Sequence, residues 1–130
     1  MSHGFTESAE KYHELSYYLL KEGYNVFLPE HRGHGRSFRA VSDPTLTHID
    51  RFSEYADDFE IFCDTVRAET TGEIYLYAHS MGCAIGMLFM ERHPAFFKKA
   101  FLSSPMVVPN PGKVPLWLAR LLMKIAVKTG

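Results

Sequence analysis

The chain has 130 residues and a formal net charge of −1, which leaves room for one domain and gives no general electrostatic reason to expect nucleic acid. Hydrophobic residues make up 46% and aromatics 14%, a composition that argues for a packed core and against disorder. The two cysteines, Cys63 and Cys83, fall at expected core positions, so no disulfide scaffold is expected and a reducing compartment is the default.

Met1-Ser2-His3-Gly4 carries neither the basic region nor the apolar run of a signal peptide. No stretch of the sequence approaches the roughly 20 apolar residues that span a bilayer. His3-Gly4-Phe5-Thr6 comes almost at once, with no strand before it. A helix follows over residues 8–22, with Glu7 and Glu10 near its first turn, Tyr12, Leu15 and Leu19 as its apolar stripe, and Gly23 just past its end. Residues 24–28 read as a strand closed by Pro29. Glu30-His31-Arg32-Gly33-His34-Gly35-Arg36-Ser37 reads as a loop at the carboxyl end of that strand. The spacing of His31 and His34 is too weak a signal for a metal site, and neither metal nor cofactor is expected.

The clearest amphipathic helix covers residues 50–69. Phe52, Tyr55, Ala56, Phe59, Phe62, Cys63 and Val66 recur on one side, and Asp57, Asp58, Glu60 and Asp64 read as a solvated face without chemistry. Residues 73–78 read as a buried strand. A small, apolar helix follows directly and runs to about His93, where Pro94 stops it. Ser80 sits at the junction, in Ala78-His79-Ser80-Met81-Gly82. A strand that turns into a helix at a serine is a nucleophile elbow, which lifts the hydroxyl off the sheet above a helix N-terminus. Backbones crowd there, so small residues are needed two before and two after the serine. Gly82 meets the second need, and Ala78 stands where the usual pattern has glycine. Residues 97–102 read as another buried strand. Prolines 105, 109, 111 and 115 then break the chain before a helix over residues 116–128. Alternating helices and strands imply a parallel sheet with crossover helices.

The elbow, the His3-Gly4 turn, His31-Arg32-Gly33-His34-Gly35-Arg36-Ser37, the run from Asp43-Pro44 to Arg51-Phe52, Arg92-His93-Pro94 and Ser104-Pro105-Met106 together resemble one family. This is the monoacylglycerol lipase and bacterial lysophospholipase branch of the α/β-hydrolases, and the likeness extends in particular to the bacterial inner-membrane lysophospholipases. The resemblance covers essentially the whole chain. It implies a partial α/β-hydrolase core over residues 1–105, carrying the nucleophile half, and the start of a cap over residues 106–130. It implies Ser80 as nucleophile, with the backbone N–H groups of Met81 and Phe5 as oxyanion donors. Such donors are worth about 3–4 kcal/mol each. His3, Gly4, His79 and Gly82 support the motif. His79 is expected to pack and hydrogen-bond rather than act as base.

The triad order in this fold is Ser, then Asp or Glu, then His. Beyond Ser80 there is no Asp, one acid (Glu91) and one histidine (His93). Glu91 lies eleven residues along the helix at about 1.5 Å each, some 16 Å away and out of reach. The strand expected between residues 24–28 and residues 73–78 is represented only by Met1 and Ser2. The expectation is therefore a piece of a longer hydrolase, inactive and poorly folded alone, whose parent cleaves lysophospholipid or monoacylglycerol esters through an acyl-Ser80. Two alternatives stay open: a non-catalytic chain of the same fold that binds a lipid or a partner, and a peptidase or thioesterase on the same scaffold. The expected partner is a small lipid ester. Residues 109–130 hold Lys113, Arg120, Lys124 and Lys128 and no acid. They suit either a cap helix over an acyl pocket or peripheral contact with an anionic membrane. The expected setting is the cytoplasm, including the inner face of the membrane.

Overall fold

The computed structural model describes residues 1–107 together with Pro115, Trp117, Leu118 and Leu121. The expected helix over residues 116–128, and with it the four basic residues, lies outside these apart from isolated positions.

After the His3-Gly4 turn, a 3-10 turn at Ala9–Tyr12 leads into helix α1, His13–Lys21. The end of α1 follows from Gly23, whose φ of 86° is open to glycine at little cost. There Tyr24 N–H donates to Leu19 O (3.0 Å) and Gly23 N–H to Leu20 O (3.1 Å), the paired bonds of a Schellman cap. Helix α2 is Ser53–Glu69, strand β1 Tyr75–His79, helix α3 Met81–Arg92 and strand β2 Lys99–Ser103. The β1–α3–β2 unit is a parallel crossover, with Tyr75 opposite Lys99 and His79 opposite Ser103.

Leu76 and Ala78 alternate onto one face of β1 and are buried with Tyr55, Phe59 and Cys63 of α2 and Met81, Cys83, Ile85 and Phe89 of α3. On the other face Tyr77 meets the edge of Tyr12 at 6.2 Å. Both cysteines are free and buried, and burial pushes the Cys63 thiol up to about 12. That places both in the core, as inert packing groups.

Three sequence expectations are corrected. Residues 24–28 form no strand. Among the described residues the slot between them and β1 holds Met1 and Ser2. Met1 donates to Phe27 O at 2.5 Å, and Ser2 makes a single parallel bridge to Ala78. Extended chain becomes a strand only where a neighbour completes its ladder. The remaining space is a cavity of about 800 Å³ lined by apolar side chains, among them Leu15, Val26, Phe62 and Val66. β2 is not buried: Phe101 is 58% exposed, because among the described residues β1 is its one neighbour. Nor are the acids of α2 merely solvated. Asp58 takes a bidentate pair from Arg32 (2.6 Å each), Glu54 takes Arg32 Nη1 (2.6 Å), and Arg92 donates to Asp57 (2.7 Å) and Glu60 (3.3 Å). These arginines staple the residue 30–37 loop and the end of α3 to the first half of α2.

Candidate active site

Ser80 stands between β1 and α3 with φ 50° and ψ −115°. A non-glycine residue at positive φ is strained, and the strain is held here from several sides. Ser80 N–H donates to Ser103 O (3.0 Å), while Ser80 O accepts from Cys83 N–H (3.1 Å) and Met106 N–H (3.2 Å). The turn after β2, with Ser104 also at φ 50°, is therefore fastened to the backbone of the elbow. This clamp was not legible beforehand, since Ser104-Pro105-Met106 carries no local sign of what it bonds.

Gly82 explains the small residue two places after the serine. A Cβ there would lie 2.3 Å from Ser2 O and 2.7 Å from His3 O. The crowding comes from the neighbouring Ser2-His3 backbone and not from the elbow's own strand. Ala78 fits because it is fully buried between its bridge to Ser2 and its pairing with Leu102. The same contacts carry the His3-Gly4 turn to the elbow. Ser2 N–H donates to Tyr77 O (2.9 Å) and His79 N–H donates to Ser2 O (3.0 Å).

The turn is held by buried histidines. His3 Nδ1 lies 2.8 Å from Gly4 O, so it carries the proton, and Nε2 accepts from His31 N–H at 3.0 Å. His31 Nε2 bonds Ser2 Oγ at 2.9 Å. His34 Nδ1 bonds Arg32 O at 3.0 Å, and its buried Nε2 has no partner among the described residues. Burial holds the His31 ring down to about 3 and lowers His3 as well, so both are neutral near pH 7. The loop that presents His31 and His34 turns at Gly35, whose φ of 49° and contact with the Glu30 carboxylate leave no room for a Cβ. Glu30 in turn accepts Arg36 N–H at 2.6 Å. Among the described residues no group of three or more His, Cys, Asp or Glu is arranged to hold a metal ion.

Phe5 and Met81 each present a backbone N–H that donates to no acceptor among the described hydrogen bonds. Thr6, next to Phe5, has φ 59°, and the Phe5 side chain is half exposed and packs edge-on against His34. His79 turns from Ser80 to Ser103 Oγ (Nδ1, 3.3 Å) and faces Glu7 Oε1 at 3.7 Å. His93 bonds Glu60 at 2.8 Å and stacks on Phe89 at the far end of α3. No described histidine bonds Ser80 Oγ. Glu7 is the residue that sequence reasoning passed over. It reads as a first-turn helix acid, yet it lies before the 3-10 turn and reaches back to Gly4 N–H at 2.8 Å. An acid three residues after a glycine turn, in the spacing of a capping box, is the signal that points to it.

A crossover β–α–β unit with a strained serine at its strand-to-helix junction, and a backbone turn drawn to the same end of the sheet, defines an α/β-hydrolase core. The monoacylglycerol lipase of Paleococcus ferrophilus has the same fold, with a TM-score of 0.75 over 98% of this chain and 46% of its own at 21% identity. Residues 1–129 match the family described as serine aminopeptidase, S33, and the chain belongs to that family. Lysophospholipase L2 of Escherichia coli K12 is 39% identical over 127 residues, which are 95% of this chain and 36% of that protein. A monoacylglycerol lipase of Mycolicibacterium smegmatis is 31% identical over 130 residues, 97% of this chain and 44% of its own. The chain thus spans less than half the length of these curated relatives.

Proposed function

We propose that the chain is the nucleophile half of a serine ester hydrolase whose whole protein cleaves lysophospholipid or monoacylglycerol esters through an acyl-Ser80. The observation that carries the reading is Ser80 itself: a serine held at φ 50° where a strand becomes a helix. Strain of this kind is retained where the surroundings over-determine it, and it gathers at reactive groups. The Ser80 hydroxyl attacks the ester carbonyl, and the Met81 and Phe5 N–H groups receive the charge that develops on its oxygen. The acid and base of the triad come from segments outside these residues, and residues 106–130 begin a cap. The names of the relatives support a lipid ester over an amide or thioester. Among the described residues no helix is long and apolar enough to cross a membrane. The whole protein acts from the cytoplasmic side, where the basic residues 113, 120, 124 and 128 meet the inner face of the membrane. Liposome sedimentation with Arg120, Lys124 and Lys128 changed to Gln checks this, and unchanged binding to anionic vesicles removes it.

In the whole protein Ser80→Ala abolishes turnover of a short-chain nitrophenyl ester and leaves the melting temperature nearly unchanged. Wild-type rates in that variant would overturn the assignment. The 130 residues alone supply no base, so a fluorophosphonate probe labels them no faster than the Ser80→Ala control.

A further inference from the structure

Glu7 has more polar partners than any other acid near the elbow, and each lies in or beside the candidate oxyanion turn. Its Oε2 accepts Gly4 N–H (2.8 Å) and Tyr12 O–H (2.6 Å). Its Oε1 pairs with Lys11, one helical turn on, and faces His79 Nε2 at 3.7 Å. The side chain is only 12% exposed. Burial pushes its carboxyl up, and the bonds from Lys11, Tyr12 and Gly4 outweigh burial and leave it at about 2. It is a carboxylate near pH 7.

The consequence falls on the peptide between Gly4 and Phe5. Glu7 takes the N–H of Gly4, while His3 Nδ1 (2.8 Å) and Glu7's own N–H (3.3 Å) take its C=O. The Gly4 N–H belongs to the His3–Gly4 peptide and the Gly4 C=O to the Gly4–Phe5 peptide, so both planes that flank Gly4 are held, the first by the Glu7 carboxylate and the second by His3 Nδ1 and the Glu7 N–H. The Gly4–Phe5 plane carries the Phe5 N–H, which donates to no acceptor among the described residues. A Cβ on Gly4 would lie 3.0 Å from Glu7 Oε2 and 3.2 Å from His79 Cδ2, so the carboxylate and the His79 ring close on this residue from two sides. His79 belongs to β1 next to Ser80, and Glu7 therefore lies between the donor turn and the nucleophile's own strand.

We propose that Glu7 is a positioning residue, whose carboxylate fixes the His3–Gly4 peptide by accepting the Gly4 N–H and so sets the Gly4–Phe5 peptide that follows in register with Ser80, and that its reach rather than its charge performs this. The proposal rests on the ester-hydrolase reading above and adds a residue to it. An oxyanion donor acts only on the transition state, so a donor out of register lowers kcat and leaves KM nearly alone. Glu7→Gln keeps the length of the side chain. Its amide oxygen can take both Gly4 and Tyr12, and its NH₂ can face His79. Glu7→Asp keeps the charge and withdraws it by one methylene.

The test measures kcat and KM of the whole protein on a short-chain nitrophenyl ester, with Ser80→Ala as control and melting temperatures recorded for each variant. Glu7→Asp loses about tenfold or more in kcat with KM within about twofold, while Glu7→Gln retains about a third or more of wild-type kcat. The reverse order, with Asp active and Gln impaired, assigns the role to charge and overturns the proposal. So does wild-type kcat in both variants, or a loss confined to KM. Should Glu7→Asp fail to fold, a drop of more than about tenfold in folded Glu7→Gln overturns it equally. Wild-type protein no faster than Ser80→Ala brings down the nucleophile reading and this proposal with it. A silent Ser80→Ala beside a fully active Glu7→Asp brings down this proposal alone.

Discussion

Two runs of similar composition take opposite fates. Residues 24–28 and the run over residues 73–78 both combine aromatic and β-branched side chains and both end at a turn. The second contributes a paired strand with Leu76 and Ala78 sealed in the core. The first stays outside any ladder, held by Tyr24 N–H to Leu19 O, Met1 N to Phe27 O and the edge-on contact of Tyr24 with Tyr75. Strand propensity describes fitness for a pleated, half-buried surface and becomes a strand only beside a neighbour. β1 has Ser2 on one side and β2 on the other; residues 24–28 face a cavity where a neighbour would stand. The candidate site lies on the paired side. A strained serine at φ 50° needs surroundings that over-determine it, and the three backbone hydrogen bonds at the elbow supply them.

The comparison breaks most sharply at Gly82. A methyl group there meets the Ser2 carbonyl at 2.3 Å, a backbone atom with nowhere to go. Gly82→Ala costs about 3 kcal/mol or more in urea unfolding and detaches the His3-Gly4 turn from the elbow. A loss below about 1 kcal/mol would mean that the turn is not seated where it is described.

Next in size is a matched pair of truncations. Leu76→Ala, at a fully buried site, costs about 2–5 kcal/mol, whereas Val26→Ala, half-buried beside the cavity, costs under about 1 kcal/mol. Equal losses would show that residues 24–28 pack as tightly as β1 and would erase the contrast. The cavity also predicts strong binding of an apolar fluorescent dye to the folded chain.

Acid titration separates the two sides more gently. Burial lowers His31 from 6.5 to about 3, and it lowers His3 from the same value. The unfolded chain binds the extra protons, so the stability held in neutral rings is complete above pH 6.5 and drains as the pH falls toward 3. The slope is at most about 1.4 kcal/mol per pH unit for each ring. Glu7, held at about 2 against 4.5, adds its own loss only below pH 4.5. Urea midpoints from pH 7 to 4 check this. A flat profile would mean that His31 takes up its proton without leaving its bond to Ser2.

Much of the site was legible because its signals are local. A small-Ser-small pattern between a β-rich run and a small apolar helix can fold in few ways, and α3 and the parallel β1–β2 pairing follow from that sequence alone. The core stripe of α2 was legible for the same reason: Tyr55, Ala56, Phe59, Cys63 and Val66 repeat at the helical period, and all are buried. What periodicity cannot carry is the identity of a distant partner. The acids of α2 look solvated until Arg32 and Arg92 arrive from residues 20 and more away in sequence. Glu7 looks like a helix acid until the backbone folds over and Gly4 N–H needs an acceptor. Residues 24–28 look like a strand until the sheet leaves one side of them open. Sequence by itself determined where the serine turns and which faces are apolar, since those follow from bond geometry and residue spacing. Tertiary structure decided which backbone groups find partners, because a hydrogen bond is a property of two segments and only one of them is ever in the local window.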